Sequence, residues 1–107
     1  MGSDKLLGTL DLLVLKVLAS GPEHGYGITL RVKQLSGEAL QVEEGSLYPA
    51  LHRMEQAGWI RPEWKPSENK RRAKYYHLTP KGRERLAEEQ DNWMRVSRGV
   101  SKVLRYA

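Results

Sequence analysis

Apolar residues at Leu47, Leu51 and Met54 recur at i, i+4 and i+7, with Ala50 and Ala57 at the margins of the stripe. That spacing predicts a helix from Glu44 to Gly58 with one face turned to a core. The opposite side carries Tyr48, His52 and Arg53, all able to donate hydrogen bonds. Ser46 is the expected N-cap, and Pro49 fits near the helix start, where backbone N–H groups lack intrahelical partners. Gly58 is the expected C-terminal stop. After Gly58 the pattern changes. Trp59–Lys65 and Lys74–Thr79 are strand-like, aromatic-rich runs on either side of a polar stretch, Pro66–Ala73, full of turn-formers and cations. They predict a hairpin with a loop too long for a tight turn. Tyr75 and Tyr76 alternate in its second strand, so one faces the core and the other faces out, and the pattern leaves open which.

Upstream, Leu6 to Leu18 is interrupted only by Gly8, Thr9, Asp11 and Lys16. A helix apolar on nearly all sides either contacts a partner subunit or is wrapped by its own chain. Ser20-Gly21-Pro22 ends it. His24–Leu35 reads as a second helix through Ile28, Val32 and Leu35, with Gly25 and Gly27 permitting close approach at its start. Its Gly-x-Gly has no third glycine, preceding strand or P-loop lysine, so it is no phosphate cradle of the nucleotide-binding kind. Ser36-Gly37-Glu38 breaks the helix, and Leu40–Val42 is expected as a brief strand or extended linker. Thr79 as N-cap and Pro80 at the first position open a last helix reaching Arg105, about 39 Å at ~1.5 Å per residue. Leu86, Trp93 and Val100 in one register and Val96 and Val103 in the other form a heptad-like seam, broken at Glu89. Such a seam, far from the body of a small domain, calls for a second copy of the chain. Leu10 and Val14 of the first helix are assigned to the same dimer surface, with Trp93, Val96, Val100 and Val103.

The order is helix, helix, turn, helix, hairpin, helix. It predicts a mainly α chain with a small β-hairpin wing (α+β): a winged helix-turn-helix domain over 1–79 and a C-terminal dimerisation helix over 80–107. Charge sharpens this. The 107 residues carry a net charge of +5, unevenly spread. Residues 1–60 hold 5 Lys/Arg against 7 Asp/Glu, residues 61–85 hold 9 against 3, and residues 86–107 hold 4 against 3. The positive charge thus sits on the hairpin and the turn after it. Such a run is usually a solvated loop, but beside a candidate recognition helix it favours nucleic acid. Tyr26, Ser46 and Tyr48 are assigned to phosphates, although Tyr26 serves equally well as a lid on the core. His52 and Arg53 are assigned to base edges, Arg being the natural partner of guanine. Lys70, Arg71, Arg72 and Lys74 are assigned to wing phosphates or an adjacent minor groove, and Tyr76 is counted with the DNA-contacting set. Two recognition helices of a dimer would read an inverted repeat with half-sites about 34–36 Å apart.

Other classes fare worse. With no cysteine there are no disulfides and no thiolate chemistry. His24, His52 and His77 lack metal-ligand spacing, Ser46 has no base-and-orienter set, and Glu43/Glu44 and Glu88/Glu89 read as solvated helix charges, so no enzyme, metal or cofactor is expected. No apolar run is long enough to span a bilayer and no signal-peptide pattern opens the chain, so a cytosolic protein is expected. The alternative is a protein-interaction module on the same winged fold, without specific DNA binding.

In combination, His24-Gly25-Tyr26-Gly27, the run Gly45–Glu55, Gly58-Trp59-Ile60 and the run Lys74–Gly82 resemble the PadR family of bacterial transcriptional regulators. The resemblance covers about Leu6 to Leu86. It implies a winged helix-turn-helix, homodimerisation through the C-terminal helix, and usually repression of a neighbouring gene. The short length resembles the subset with a single C-terminal helix. Some relatives in that subset bind flat aromatic ligands between paired tryptophans of the last helix, where Trp93 has a similar place. The resemblance thus adds a small aromatic ligand as a candidate partner, although Trp is also favoured as a plain interface anchor. Met54 and Trp59 stand where relatives often have other aliphatics, which is neutral for the fold.

Overall fold

The computed structural model describes residues 9–107. Seven elements follow in order: α1 (Thr9–Ala19), β1 (Glu23–His24), α2 (Gly25–Leu35), α3 (Glu44–Gln56), β2 (Ile60–Pro66), β3 (Arg72–Leu78) and α4 (Pro80–Tyr106). Any extension of the first helix back to Leu6 lies outside the described residues.

α1 is the hub. Its Val14, Leu15, Val17 and Leu18 are buried, and the helix packs against α2, α3, α4 and β3. The remaining core comes from Ile28 and Val32 of α2, Leu47, Ala50, Leu51 and Met54 of α3, Ile60, Tyr76 and Leu86. This corrects one assignment. Val14 is fully buried by its own chain and offers nothing to a partner, while Leu10 is half-buried against the same core. In a chain this short, one central helix serves every other element, which accounts for the apolar side that carries Val14, Leu15, Val17 and Leu18.

The sheet has three strands in the order β1-β3-β2, all antiparallel. The hairpin is as expected, with Ile60 opposite Leu78 and Pro66 opposite Arg72. β1 was not foreseen. Two residues, Glu23 and His24, pair with Tyr76 and Tyr75, too short a run to leave any alternation in the sequence. His24 then caps α2: the N–H of Gly27 donates to His24 Nδ1 at 3.0 Å. Leu40–Val42 forms no strand and links α2 to α3 without regular secondary structure.

α3 begins at Glu44, where the predicted stretch begins, but its N-cap is not Ser46. Glu43, in an extended conformation, is the N-cap residue without a side-chain cap bond, so Ser46 lies inside the helix. Pro49 is consequently interior, with the glycine Gly45 four residues back along the exposed side. The helix ends as expected: Gly58 adopts φ +82°, the left-handed conformation that closes helices, and Trp59 N donates to Met54 O.

α4 starts on Thr79, whose hydroxyl accepts from Gly82 N at 3.0 Å and lies 2.7 Å from the Gly58 carbonyl, to which it donates. Only Gly82 and Leu86 of this 27-residue helix are buried. Its apolar stripe continues past the body through Trp93, Val100, Val103 and Leu104, all exposed, with Val96 half-buried. Glu89, the break in the seam, is neutralised by Arg85 at 2.6 Å, and the same guanidinium stacks over Trp59.

Candidate nucleic-acid interface

The exposed side of α3 runs along Gly45, Pro49, His52 and Gln56, with Ser46 and Arg53 on one flank and Tyr48 on the other. This is the hydrogen-bonding face foreseen from periodicity. Tyr48 leans back on the start of α2, where Gly25 makes the room. A Cβ on Gly25 would stand 2.8 Å from the Tyr48 hydroxyl oxygen. Tyr26, on the first turn of α2, is exposed and belongs to the surface rather than to the core. Between these helices and the hairpin lies a groove of about 710 Å³, lined among others by Tyr26, Arg31, Tyr48, Trp64, Arg72 and Lys74.

Three of the expected contact residues are otherwise engaged. Arg53 donates two hydrogen bonds to Asp11, at 2.8 and 2.9 Å, and this bond from α3 to α1 raises the arginine's pKa. Its side chain is still 58% exposed, but its donor edge is turned to a carboxylate of the domain itself. Lys74 reaches from β3 to Glu55 of α3 at 3.1 Å, and this pairing likewise raises its pKa. Both cations brace α3 against the body. Tyr76 is the inward tyrosine, only 6% exposed, so its assignment to DNA contact is corrected: pleating aims it at the core. Burial, the largest cause, raises its pKa. Tyr75 takes the outer face, where its ring meets that of His24 edge-on at 5.1 Å and Lys65 lies 4.5 Å above it. On the same face Glu63 sits 2.6 Å from His77, and that hydrogen bond lowers the carboxylate's pKa.

Lys70, Arg71 and Arg72 at the wing tip remain exposed, with Lys70 at φ +62° in the turn. Ser46, Tyr48 and His52 are exposed on α3. A donor-bearing face of α3 and a cationic hairpin tip are thus both exposed, and a groove between α2 and the hairpin is lined by Tyr48 from the first and Arg72 from the second. Sequence reading missed Asp11 and Glu55 as braces and Trp64 as part of the groove. A lone carboxylate in an aliphatic helix was a signal that Asp11 has a partner, but that partner lies 42 residues away. Among the described residues no cluster of His, Asp or Glu could hold a metal ion.

A three-helix core, a short sheet and a projecting basic hairpin beside an exposed helix define a winged helix-turn-helix, the fold of DNA-binding transcriptional regulators. The comparison with known families is specific. The transcriptional regulator PadR-like family matches residues 14–88, and the chain belongs to that family. A transcriptional regulator of Mycobacterium tuberculosis is 33% identical over 89 residues, covering 83% of this chain and 79% of that one. An uncharacterised 37.1 kDa transposon protein of Streptomyces fradiae is 44% identical over 87 residues, 81% of this chain, and the chain spans only 24% of its length. Among solved structures, a PadR-like regulator from Bacillus cereus superposes with a TM-score of 0.78 at 32% identity, covering 97% of this chain and 99% of its own. A transcriptional regulator from Clostridium thermocellum reaches 0.82 at 28% identity, covering 92% and 96%. The protein is thus a PadR-family transcriptional regulator, and no helix among the described residues is long and apolar enough to cross a membrane.

Proposed function

We propose that this regulator is a cytoplasmic homodimer that binds an inverted-repeat operator and represses transcription. In this reading residues 80–107 serve as the dimerisation unit and the rest as the DNA-binding unit. The observation that carries it is the pairing of an exposed, donor-bearing face of α3 with an exposed cationic wing tip, next to a groove between α2 and the hairpin that Tyr48 and Arg72 help to line. Ser46 and Tyr48 contact phosphate, and His52, in the middle of the exposed face, reaches base edges. Lys70, Arg71 and Arg72 follow the backbone along the wing. Arg53 and Lys74 act from behind, holding α3 at its angle to α1 and β3. The exposed stripe of Trp93, Val100, Val103 and Leu104 supports a second copy, since an apolar face of that length is costly in water. Paired Trp93 rings would also offer a seat to a flat aromatic ligand that relieves repression.

The test is binding to a duplex carrying the gene's own upstream region, at two salt concentrations, with scrambled competitor. Tight, competitor-resistant binding that weakens steeply with salt is expected. The Lys70/Arg71/Arg72→Ala variant should lower the salt slope by about one per lost contact in each subunit. Equal loss to scrambled DNA would reject an operator upstream of the gene, and an unchanged slope would reject the wing assignment.

A further inference from the structure

Inward-facing positions of β2 are Ile60, Pro62, Trp64 and Pro66, as their pairing with Leu78, Tyr76, Lys74 and Arg72 requires. Ile60 is buried in the core, but two pleats on the body has ended. Trp64 stands on the same face with no core opposite it, 56% exposed, at the wall of the groove. Directly across the ladder, Lys74 has turned its ammonium to Glu55, and diagonally Arg72 places its guanidinium 5.7 Å from the indole centroid. Tyr48 and Tyr26 line the groove from the helices. The result is a large apolar ring, flanked by a cation that has no carboxylate within ion-pair distance among the described residues, facing hydroxyl donors across an open cleft. Folding gains little from leaving an indole there, because half of it stays in water.

The geometry points to Trp64 as a DNA-binding residue of a kind different from the wing's cations: an apolar platform on which the deoxyribose of one backbone strand rests. This rests on the DNA-binding reading above and deepens it. A strand lying in the groove presents alternating phosphates and sugars. Phosphates suit Arg72, and the hydroxyls of Tyr26 and Tyr48 opposite. The C–H faces of the sugar suit an indole, which also sheds the water that half-exposure leaves on it. Stacking over Trp64 holds Arg72 in place beside the ring, so the wing offers one apolar and one charged contact in a fixed relation. Because every nucleotide carries the same sugar, the contact adds affinity without base preference.

The experiment measures binding of the full chain to a mixed-sequence 30-base-pair duplex across a salt series, for wild type, Trp64→Ala, Trp64→Phe and Arg72→Ala. Thermal melting of each variant establishes that it is folded. Aromatic contacts to nucleic acid are worth about 5- to 100-fold per ring, and a ring on a sugar edge should lie towards the low end. Trp64→Ala should weaken binding about 10-fold at every salt concentration with an unchanged slope, while Trp64→Phe stays within about threefold of wild type. Arg72→Ala should instead lower the slope by about one per subunit. Wild-type affinity in Trp64→Ala would overturn the inference and leave the DNA-binding reading standing. A slope in Trp64→Ala that falls as far as in Arg72→Ala would also overturn it, since Trp64 would then act only by holding Arg72. A wild-type chain that binds no duplex at all would overturn both.

Discussion

Replacing Arg53 with alanine separates a brace from a base contact. The guanidinium makes two charge-assisted hydrogen bonds to Asp11, whose carboxylate lies on the first turn of α1 and is 8% exposed as a residue. Deleting the arginine leaves that carboxylate with little water. Breaking a fully buried pair in this way costs about 3–5 kcal/mol. One feature reduces the figure here. The arginine side is 58% exposed, so water can replace it in part. The expected loss is therefore about 2 kcal/mol, or roughly 8–16 °C in melting temperature for a domain of this size. Arg53→Lys, restoring one bond of two, should recover about half. Asp11→Ala should cost less than Arg53→Ala, because the released arginine simply hydrates, and the double variant should melt above Arg53→Ala alone. The assay is thermal denaturation at matched protein concentration, since dimerisation makes the midpoint concentration-dependent. If Arg53→Ala melts like wild type yet loses operator binding more than tenfold, the arginine is a base contact and the brace is incidental.

Gly82→Ala should destabilise despite the better helix propensity of alanine, because a Cβ there would collide with the Trp59 carbonyl oxygen and crowd Leu78. A net cost of about 1–2 kcal/mol is expected in urea denaturation, and a stabilised variant would contradict the close approach of α4 to Trp59 and Leu78. Glu63 has its pKa lowered by His77, so its contribution is present above the ordinary carboxylate range near pH ~4.3 and is lost as pH falls through the lower folded value. Glu63→Gln should therefore flatten the acid limb of the melting-temperature profile, and an identical limb would remove the pair from any stabilising role. Trp93→Ala should loosen the proposed dimer, read by sedimentation velocity on dilution into the micromolar range. A variant that stays dimeric would locate the interface elsewhere.

Much of the architecture was legible because it rests on local rules. Leu47, Leu51 and Met54 marked the buried face of α3, Gly58 its end, and Thr79 with Pro80 the start of α4, each through short-range chemistry that sequence spacing records. The N-cap of α3 was misplaced because Glu43 caps it by backbone conformation alone, leaving Ser46 an attractive but idle capping residue. β1 left no trace, since two residues are too few for a period.

What the sequence determined by itself is the winged order of elements, the concentration of positive charge on the wing, and a face of α3 rich in donors. These follow from periodicity and composition, which are properties of neighbours along the chain. What only the tertiary structure decided is which of those polar groups remain available. Arg53 and Lys74 looked equal to Lys70, Arg71 and Arg72, yet each finds a carboxylate on another element, Asp11 and Glu55. Tyr76 and not Tyr75 turns inward, and Val14 belongs to the core because its side of α1 is covered by its own domain. A charge in a sequence has no partner until folding brings distant segments within a few ångströms, and only then is it settled whether that charge faces inward as a brace or outward as a contact.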